Sequence, residues 1–266
     1  MKMGIFLSLP LIGVALSAAA PRAANSRWVV NFADAQCLAE RDYGTASEPF
    51  RVVLKQPAIG DVIQVSVSPG RAGGTAAKQA GNVRFDGDPP LTLPATMFDT
   101  PAGSTRTYLF NVPVKDFARA STAKVMAVSA PGLREEFALS NVAPVMKLLS
   151  ECVADLRSLY NIEPSGRGSR AAVKPPQGSL SGMIAPADMP EERGGSPRDG
   201  TAELLLLVDE SGSVADCAIV GSSEFASLDG QTCAIMRARA KFSPARGSDG
   251  KAVKGAFHQK VSWRME

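Results

Sequence analysis

From Ala171 to Arg198 the sequence sheds its large apolar residues and fills with turn formers: Val173-Lys174-Pro175-Pro176-Gln177-Gly178, then Pro186, Pro190 and Gly194-Gly195-Ser196-Pro197. A stretch of this kind cannot bury enough surface to offset the entropy of ordering it. It divides the chain, and what folds must fold on either side of it. The expected division is a first domain over residues 25–163, a linker over 164–180 and a second domain over 181–266. With 266 residues there is chain enough for a real core in at least one of them.

The N-terminus carries a separate signal. Met1-Lys2-Met3 makes a positive start, Gly4 to Ala20 is apolar apart from Ser8, Pro10 and Ser17, and Ala18-Ala19-Ala20-Pro21-Arg22-Ala23-Ala24 supplies small residues at the exit. That order is the grammar of a secretory signal peptide, expected over residues 1–24. The apolar run contains a proline and is short for a bilayer core that needs about twenty residues, so cleavage is the better expectation. If the segment stays uncleaved, it tethers the chain to the inner membrane.

Charge and cysteine content narrow the classes further. The formal net charge is +3 with acids and bases interspersed, so no single-sign field exists to draw nucleic acid, and no nucleic-acid partner is expected. Four cysteines follow the leader, an even number in an exported chain, and none is spaced as a zinc knuckle. Disulfides are therefore expected, and neither a metal nor a cofactor.

In the first domain short runs of β-formers alternate with turn residues: Trp28 to Phe32, Cys37 to Tyr43, Phe50 to Leu54, Val62 to Val67, Thr107 to Val112 and Val125 to Val128. A helix from about Asn141 to Tyr160 closes the domain, with Ser140 or Asn141 as cap and Pro144 in the first turn, where its missing N–H costs little. Its apolar stripe is Val145, Leu149, Cys152, Leu156 and Leu159. Cys152 on that stripe faces the sheet, and Cys37 opens an early strand.

Beyond Gly200 the pattern sharpens. Thr201 to Val208 is a strand whose Leu204 to Leu207 run demands burial on both faces or close packing under a helix. Asp209-Glu210-Ser211-Gly212 makes a turn, Val214 to Val220 the partner strand, and a helix runs from about Ser227 to Ala240 before Phe242-Ser243-Pro244-Ala245. Gly255 to Met265 is the last strand. The order strand, strand, helix, strand makes this an α+β module behind a β-rich domain. Cys217, beside Ile219, and Cys233, in line with Met236 and Ala240, point into one interface between strand and helix. Of the three pairings open to four cysteines, Cys37 with Cys152 and Cys217 with Cys233 is preferred.

Several of these residues carry a resemblance. Gly200, the turn Val208-Asp209-Glu210-Ser211-Gly212-Ser213-Val214, Ser222-Ser223, Leu228-Asp229, Ala238-Arg239-Ala240-Lys241-Phe242-Ser243-Pro244-Ala245 and Asp249-Gly250-Lys251 occur in the order found in TonB C-terminal domains. The last third of the chain resembles the C-terminal domain of the TonB family of energy transducers. Met189-Pro190 stands where that family commonly has Tyr-Pro, and Ala240 where it often has a bulky aromatic. The resemblance implies a Gram-negative periplasmic location and β-augmentation, in which an extended peptide of an outer-membrane receptor adds to an exposed strand. The corresponding strand offers Gly255, Phe257, His258, Gln259, Lys260, Val261 and Trp263. The competing interpretation is a closing edge strand protected by Lys254, Lys260 and Arg264.

Other motifs lead nowhere comparable. Asp209-Glu210-Ser211-Gly212-Ser213 spells a von Willebrand A metal motif, but that fold needs a parallel sheet with a helical crossover, and a hairpin partner follows here. His258 is the sole histidine and has no nucleophile to serve, so no triad arises. Arg237, Arg239, Lys241 and Arg246 form a basic cluster whose default is a solvated helix face. An enzyme is not expected. Two functional classes stand: a TonB-like periplasmic protein supporting energy-dependent transport across the outer membrane, or an envelope adaptor that uses the same module without energy transduction. Against full transduction, His258 is remote from the apolar N-terminus and the linker is short, so no residue speaks for coupling to ExbB and ExbD.

Overall fold

A computed structural model describes residues 20–32, 37–71, 77–99, 105–163, 170–171, 173–190, 199–221, 223 and 225–264. Residues 1–19 of the expected leader, 164–169 of the expected linker, the run 191–198, Ser222 and Met265 lie outside them.

The first domain is a single antiparallel sheet. Its strands are β1 (Val29–Asn31), β2 (Cys37–Gly44), β3 (Pro49–Gln56), β4 (Val62–Pro69), β5 (Ala77–Phe85), β6 (Leu91–Asp99), β7 (Arg106–Pro113), β8 (Val125–Ala130) and β9 (Leu133–Ala138), with a short helix α1 (Val114–Phe117) after β7. Their order across the sheet is β1-β2-β3-β4-β7-β6-β5-β8-β9. Strict alternation sets the inner face: in β4, Ile63, Val65 and Val67 are buried while Gln64, Ser66 and Ser68 point the other way.

The sheet curls until residues 22–25 stitch its last strand to its second. The Arg22 N–H donates to the Glu136 carbonyl (2.7 Å) and the Ala138 N–H to the Arg22 carbonyl (3.0 Å), while the Asn25 N–H donates to Asp42 (3.1 Å). Arg22 also lies over the Phe50 ring, 4.1 Å from its centroid, and pairs with Glu135 and Glu48. Arg22 to Ala24, the last residues of the expected leader, are thus part of this seam.

Three strands escaped the sequence pattern for local reasons. β5 reads Ala-Lys-Gln-Ala-Gly-Asn-Val-Arg-Phe, poor in β-formers, and Gly81 is required there: a Cβ would fall 2.8 Å from the Phe110 ring and from the Ser129 carbonyl. β6 contains Pro94, and β9 places Glu135 and Glu136 in succession, where they pair with Arg22 and Arg84.

Helix α2 (Val142–Leu159) packs on the sheet through Val142, Val145, Leu149, Cys152, Val153 and Leu156. Two details differ from the expected helix. Leu159 is exposed rather than part of the stripe, and neither Ser140 nor Asn141 caps with its side chain. Asn141 adopts a left-handed conformation (φ 57°), and Ser140 serves the neighbouring loop, its hydroxyl accepting from Arg41 (2.9 Å) and its carbonyl from the Trp28 indole (3.0 Å). Cys152 pairs with Cys37 on β2, Cα to Cα 5.9 Å.

The C-terminal module consists of β10 (Gly200–Val208), β11 (Val214–Gly221), helix α3 (Ala226–Arg239), a two-stranded ribbon of β12 (Ala245–Arg246) and β13 (Ala252–Val253), and β14 (Gly255–Trp263). The larger sheet has the order β11-β10-β14, antiparallel throughout. The leucine run of β10 is buried on both faces for two different reasons. Ala202, Leu204, Leu206 and Val208 meet α3 through Leu228, Cys233 and Met236. Leu205 and Leu207, on the opposite face, join the apolar core of the first domain together with Ala218 and Ala256. Polar contacts accompany this docking: Lys55 Nζ lies 3.5 Å from the Asp216 carboxylate, and the Asn161 amide donates to the Lys254 carbonyl (2.9 Å). The chain before the module is also engaged, since Gln177 exchanges backbone hydrogen bonds with Ser243, and Met183, Ile184 and Met189 pack against the module core.

Candidate functional site

The two edges of the three-stranded sheet are built differently. At β11, Arg237 of α3 reaches over the edge and donates both to the Cys217 carbonyl (3.1 Å) and to Asp216 (2.8 Å). Asp216 is 3% exposed and faces the first domain, where it also meets Lys55. Cys217 is bonded to Cys233 of α3, Cα to Cα 5.5 Å, so helix and strand are locked together. That strand thus has one carbonyl covered by a side chain and a covalent tie to the helix.

The β14 edge is open. β14 pairs with β10 along its whole length, from Gly200 opposite Trp263 to Val208 opposite Gly255, and among the described residues nothing pairs with its other side. A strand so placed presents alternate N–H and carbonyl groups outward over nine residues.

Two anchors hold it in register. The Trp263 indole donates to the Thr232 hydroxyl (2.8 Å), which in turn donates to the Leu228 carbonyl (2.6 Å), all in the interior. At the other end the Phe257 ring packs against Phe242, 4.7 Å between centroids. In the middle His258, Gln259 and Lys260 are exposed, and the Gln259 amide donates to the Lys260 carbonyl (3.1 Å). The candidate residues therefore divide. Gly255, Val261 and Trp263 are buried and offer only backbone to a ligand, whereas Phe257, His258, Gln259 and Lys260 offer side chains as well. On the face toward the first domain His258 Nε2 lies 2.8 Å from Glu203 Oε1, and Ser262 shares a hydrogen bond with Thr201 (2.9 Å).

The neighbouring groups are committed elsewhere. Asp209 Oδ1 accepts from the N–H groups of Ser211 and Ser213 (2.9 Å each) and from the Ser211 hydroxyl (2.6 Å), closing its own turn. Burial pushes the Asp209 carboxyl up, but the hydrogen bonds from Ser211 and Ser213, with Lys241 nearby, outweigh it and hold the carboxyl below its ordinary value. Gly212 has φ +81°, and a Cβ there would strike the Phe242 carbonyl, so this is a tight hairpin turn packed against the helix exit. In the basic cluster, Arg239 forms a two-point pair with Asp188 (2.6 and 2.8 Å), Lys241 donates to Ser213 (2.6 Å) and Arg246 to the Gly250 carbonyl (3.3 Å). Each has an internal task besides its contact with solvent.

Residues 190–265 match the family model of the Gram-negative bacterial TonB protein C-terminal region. The module is a TonB-family C-terminal domain. The match takes in β10, β11, α3 and β14 and leaves the curled sheet of the first domain outside it. Searches of curated proteins and of solved structures gave no match to the chain. Among the described residues no helix is long and apolar enough to cross a membrane. The final strand of the TonB-type domain is legible in the sequence; the Lys55, Asp216 and Arg237 group beside β11 is not. Lys55 and Asp216 are 161 residues apart and belong to different parts of the fold, so no spacing advertises them.

Proposed function

We propose that the TonB-type domain binds an extended peptide of an outer-membrane receptor along β14, and that the chain supports energy-dependent transport across the outer membrane from the periplasm. The observation that carries this reading is the contrast between the sheet's edges. On β11 Arg237 covers the Cys217 carbonyl and the Cys217–Cys233 bond ties the strand to α3, while among the described residues β14 has no second strand beside it and only its Lys260 carbonyl is covered, by its own Gln259 side chain (3.1 Å). Strand addition uses such an edge: main-chain hydrogen bonds supply affinity, and side chains alternating along the edge supply selectivity. Phe257 and Gln259 would contact the peptide on the α3 face, His258 and Lys260 on the other. Binding, not catalysis, is the role.

A second reading is favoured by the docking of the two domains. Leu205 and Leu207 are buried against the first domain, and the Asp216 pair crosses the same junction, so the module is held against a large neighbour and does not swing on a free tether. An envelope adaptor would use the same β14 edge without coupling to ExbB and ExbD.

Titrating the full chain, labelled for amide detection, with N-terminal peptides of outer-membrane receptors tests the binding. Shifts concentrated at Gly255 to Trp263 are expected, and no response at millimolar peptide would sink the receptor reading. Loss of siderophore or vitamin uptake in a deletion strain then favours transport; unchanged uptake with retained peptide binding favours the adaptor.

A further inference from the structure

Just before the Gly255 end of β14, Lys254 lines a cleft of the first domain. Its volume is about 770 Å³, and its walls include Phe32, Leu156 and Leu159, with Asp155 and Lys254 at the rim. Lys254 immediately precedes β14. The carbonyl of Lys254 accepts from Asn161 and its ammonium sits 5.5 Å from the Tyr160 ring centroid, so the end of α2 is fixed beside the start of the strand. The lateral order agrees. The β11 side of the C-terminal sheet meets the first domain at β3 through Lys55, and the residue before β14 meets it at the end of α2, so this cleft lies near the start of β14 and not beside β11.

Phe32 and Leu159 are 58% and 48% exposed, and they are two of the large apolar side chains that stand open to solvent among the described residues. Leu159 breaks the buried stripe of α2 to stand there. All such exposed side chains belong to the first domain, and none to the TonB-type module. An extended peptide advances about 3.3 Å per residue. One laid along β14 and continued past Gly255 would run toward the cleft that Lys254 lines.

We propose that this cleft is a second subsite of the same peptide-binding site: an apolar residue of the receptor peptide, just outside the segment that pairs with β14, seats between Phe32 and Leu159. The inference rests on the strand-addition reading and deepens it, because it assigns the first domain a direct part in choosing the peptide. The selected ligand is an extended segment flanked, on one defined side, by a leucine, isoleucine or phenylalanine. The flanking residue adds affinity only when it is presented in line with the strand.

The experiment uses the full chain and three forms of a receptor N-terminal peptide: the strand-pairing segment alone, the segment with two leucines added at one end or the other, and the same extensions with serines. Burying one large aliphatic side chain predicts about a tenfold gain in affinity for one leucine extension and none for the serine controls. Phe32→Ser with Leu159→Ser is expected to abolish that gain and leave the affinity of the unextended segment unchanged. The variant sites are exposed, so folding is checked by an unchanged melting curve. If the unextended segment binds but neither leucine extension gains, the cleft is not a subsite while strand addition stands. If the serine variant lowers self-association of the chain and not the leucine gain, the cleft belongs to a second copy and the proposal is overturned. If no form of the peptide binds, both readings fall together.

Discussion

The two outer strands of the C-terminal sheet are the same length to within a residue and pair with the same central strand, yet α3 is tied covalently to β11 and not to β14. The difference comes from what lies beyond each. An edge strand left bare is an invitation to unwanted pairing. β11 answers it with an arginine on its carbonyl, a disulfide to the helix and a buried carboxylate held against the first domain. β14 carries Lys260, is flanked by Lys254 and Arg264, charges that discourage nonspecific pairing, and has its Lys260 carbonyl covered by the Gln259 amide (3.1 Å). In the proposed reading the sheet is addressed on its β14 side, and the ties at β11 leave that side as the one for a peptide.

Breaking that contrast has graded consequences. Replacing Cys217 and Cys233 together by alanine releases the tie between β11 and α3, whose cysteines are 16 residues apart, and is expected to cost about 3 kcal/mol in thermal or denaturant unfolding. The β14 edge should still bind peptide at low temperature. Arg237→Leu removes charge-assisted hydrogen bonds to a buried carboxylate and is expected to cost about 2 kcal/mol. It also uncovers the Cys217 carbonyl, so sedimentation should reveal self-association that the native chain lacks. Trp263→Phe deletes the indole bond to Thr232 and should cost about 1 kcal/mol, weakening peptide binding by loosening the strand without removing its backbone groups.

The smallest effect is a pH dependence on the β11 side. Asp209 holds the turn between β10 and β11 and is depressed below its ordinary value, so it binds protons less readily folded than unfolded. Its contribution is present above the unfolded-state pKa of about 4 and is lost as pH falls through the folded value. Asp209→Asn should flatten that part of the stability profile, measured by melting between neutral and acid pH, and leave peptide binding at neutral pH unchanged.

Much of this arrangement could be read in advance where a local rule was enough. The hairpin turn at Gly212, the α3 helix, the final strand and the double burial of Leu204 to Leu207 all follow from periodicity and turn chemistry within a few residues. The cysteines on the α2 and α3 stripes stand within disulfide distance of Cys37 and Cys217. What was illegible depends on distant partners. β5 is a strand because Phe110 and Ala95 pack onto Gly81, not because its own residues favour one. Leu159 fits a helical stripe by spacing, yet its side chain is left facing solvent. The leucines explain themselves only in part: the sequence demands two covered faces, but the identity of the second cover, the first domain, comes from Lys55, Asp216 and Asn161 meeting across the fold.

Hydrogen exchange of the full chain, measured residue by residue at the two edges with and without a receptor N-terminal peptide, addresses the central claim. Peptide is expected to slow exchange at the outward amides within Gly255 to Trp263 and to leave Val214 to Gly221 unchanged. Protection that arises at β11, or at neither edge while peptide is bound, would contradict it.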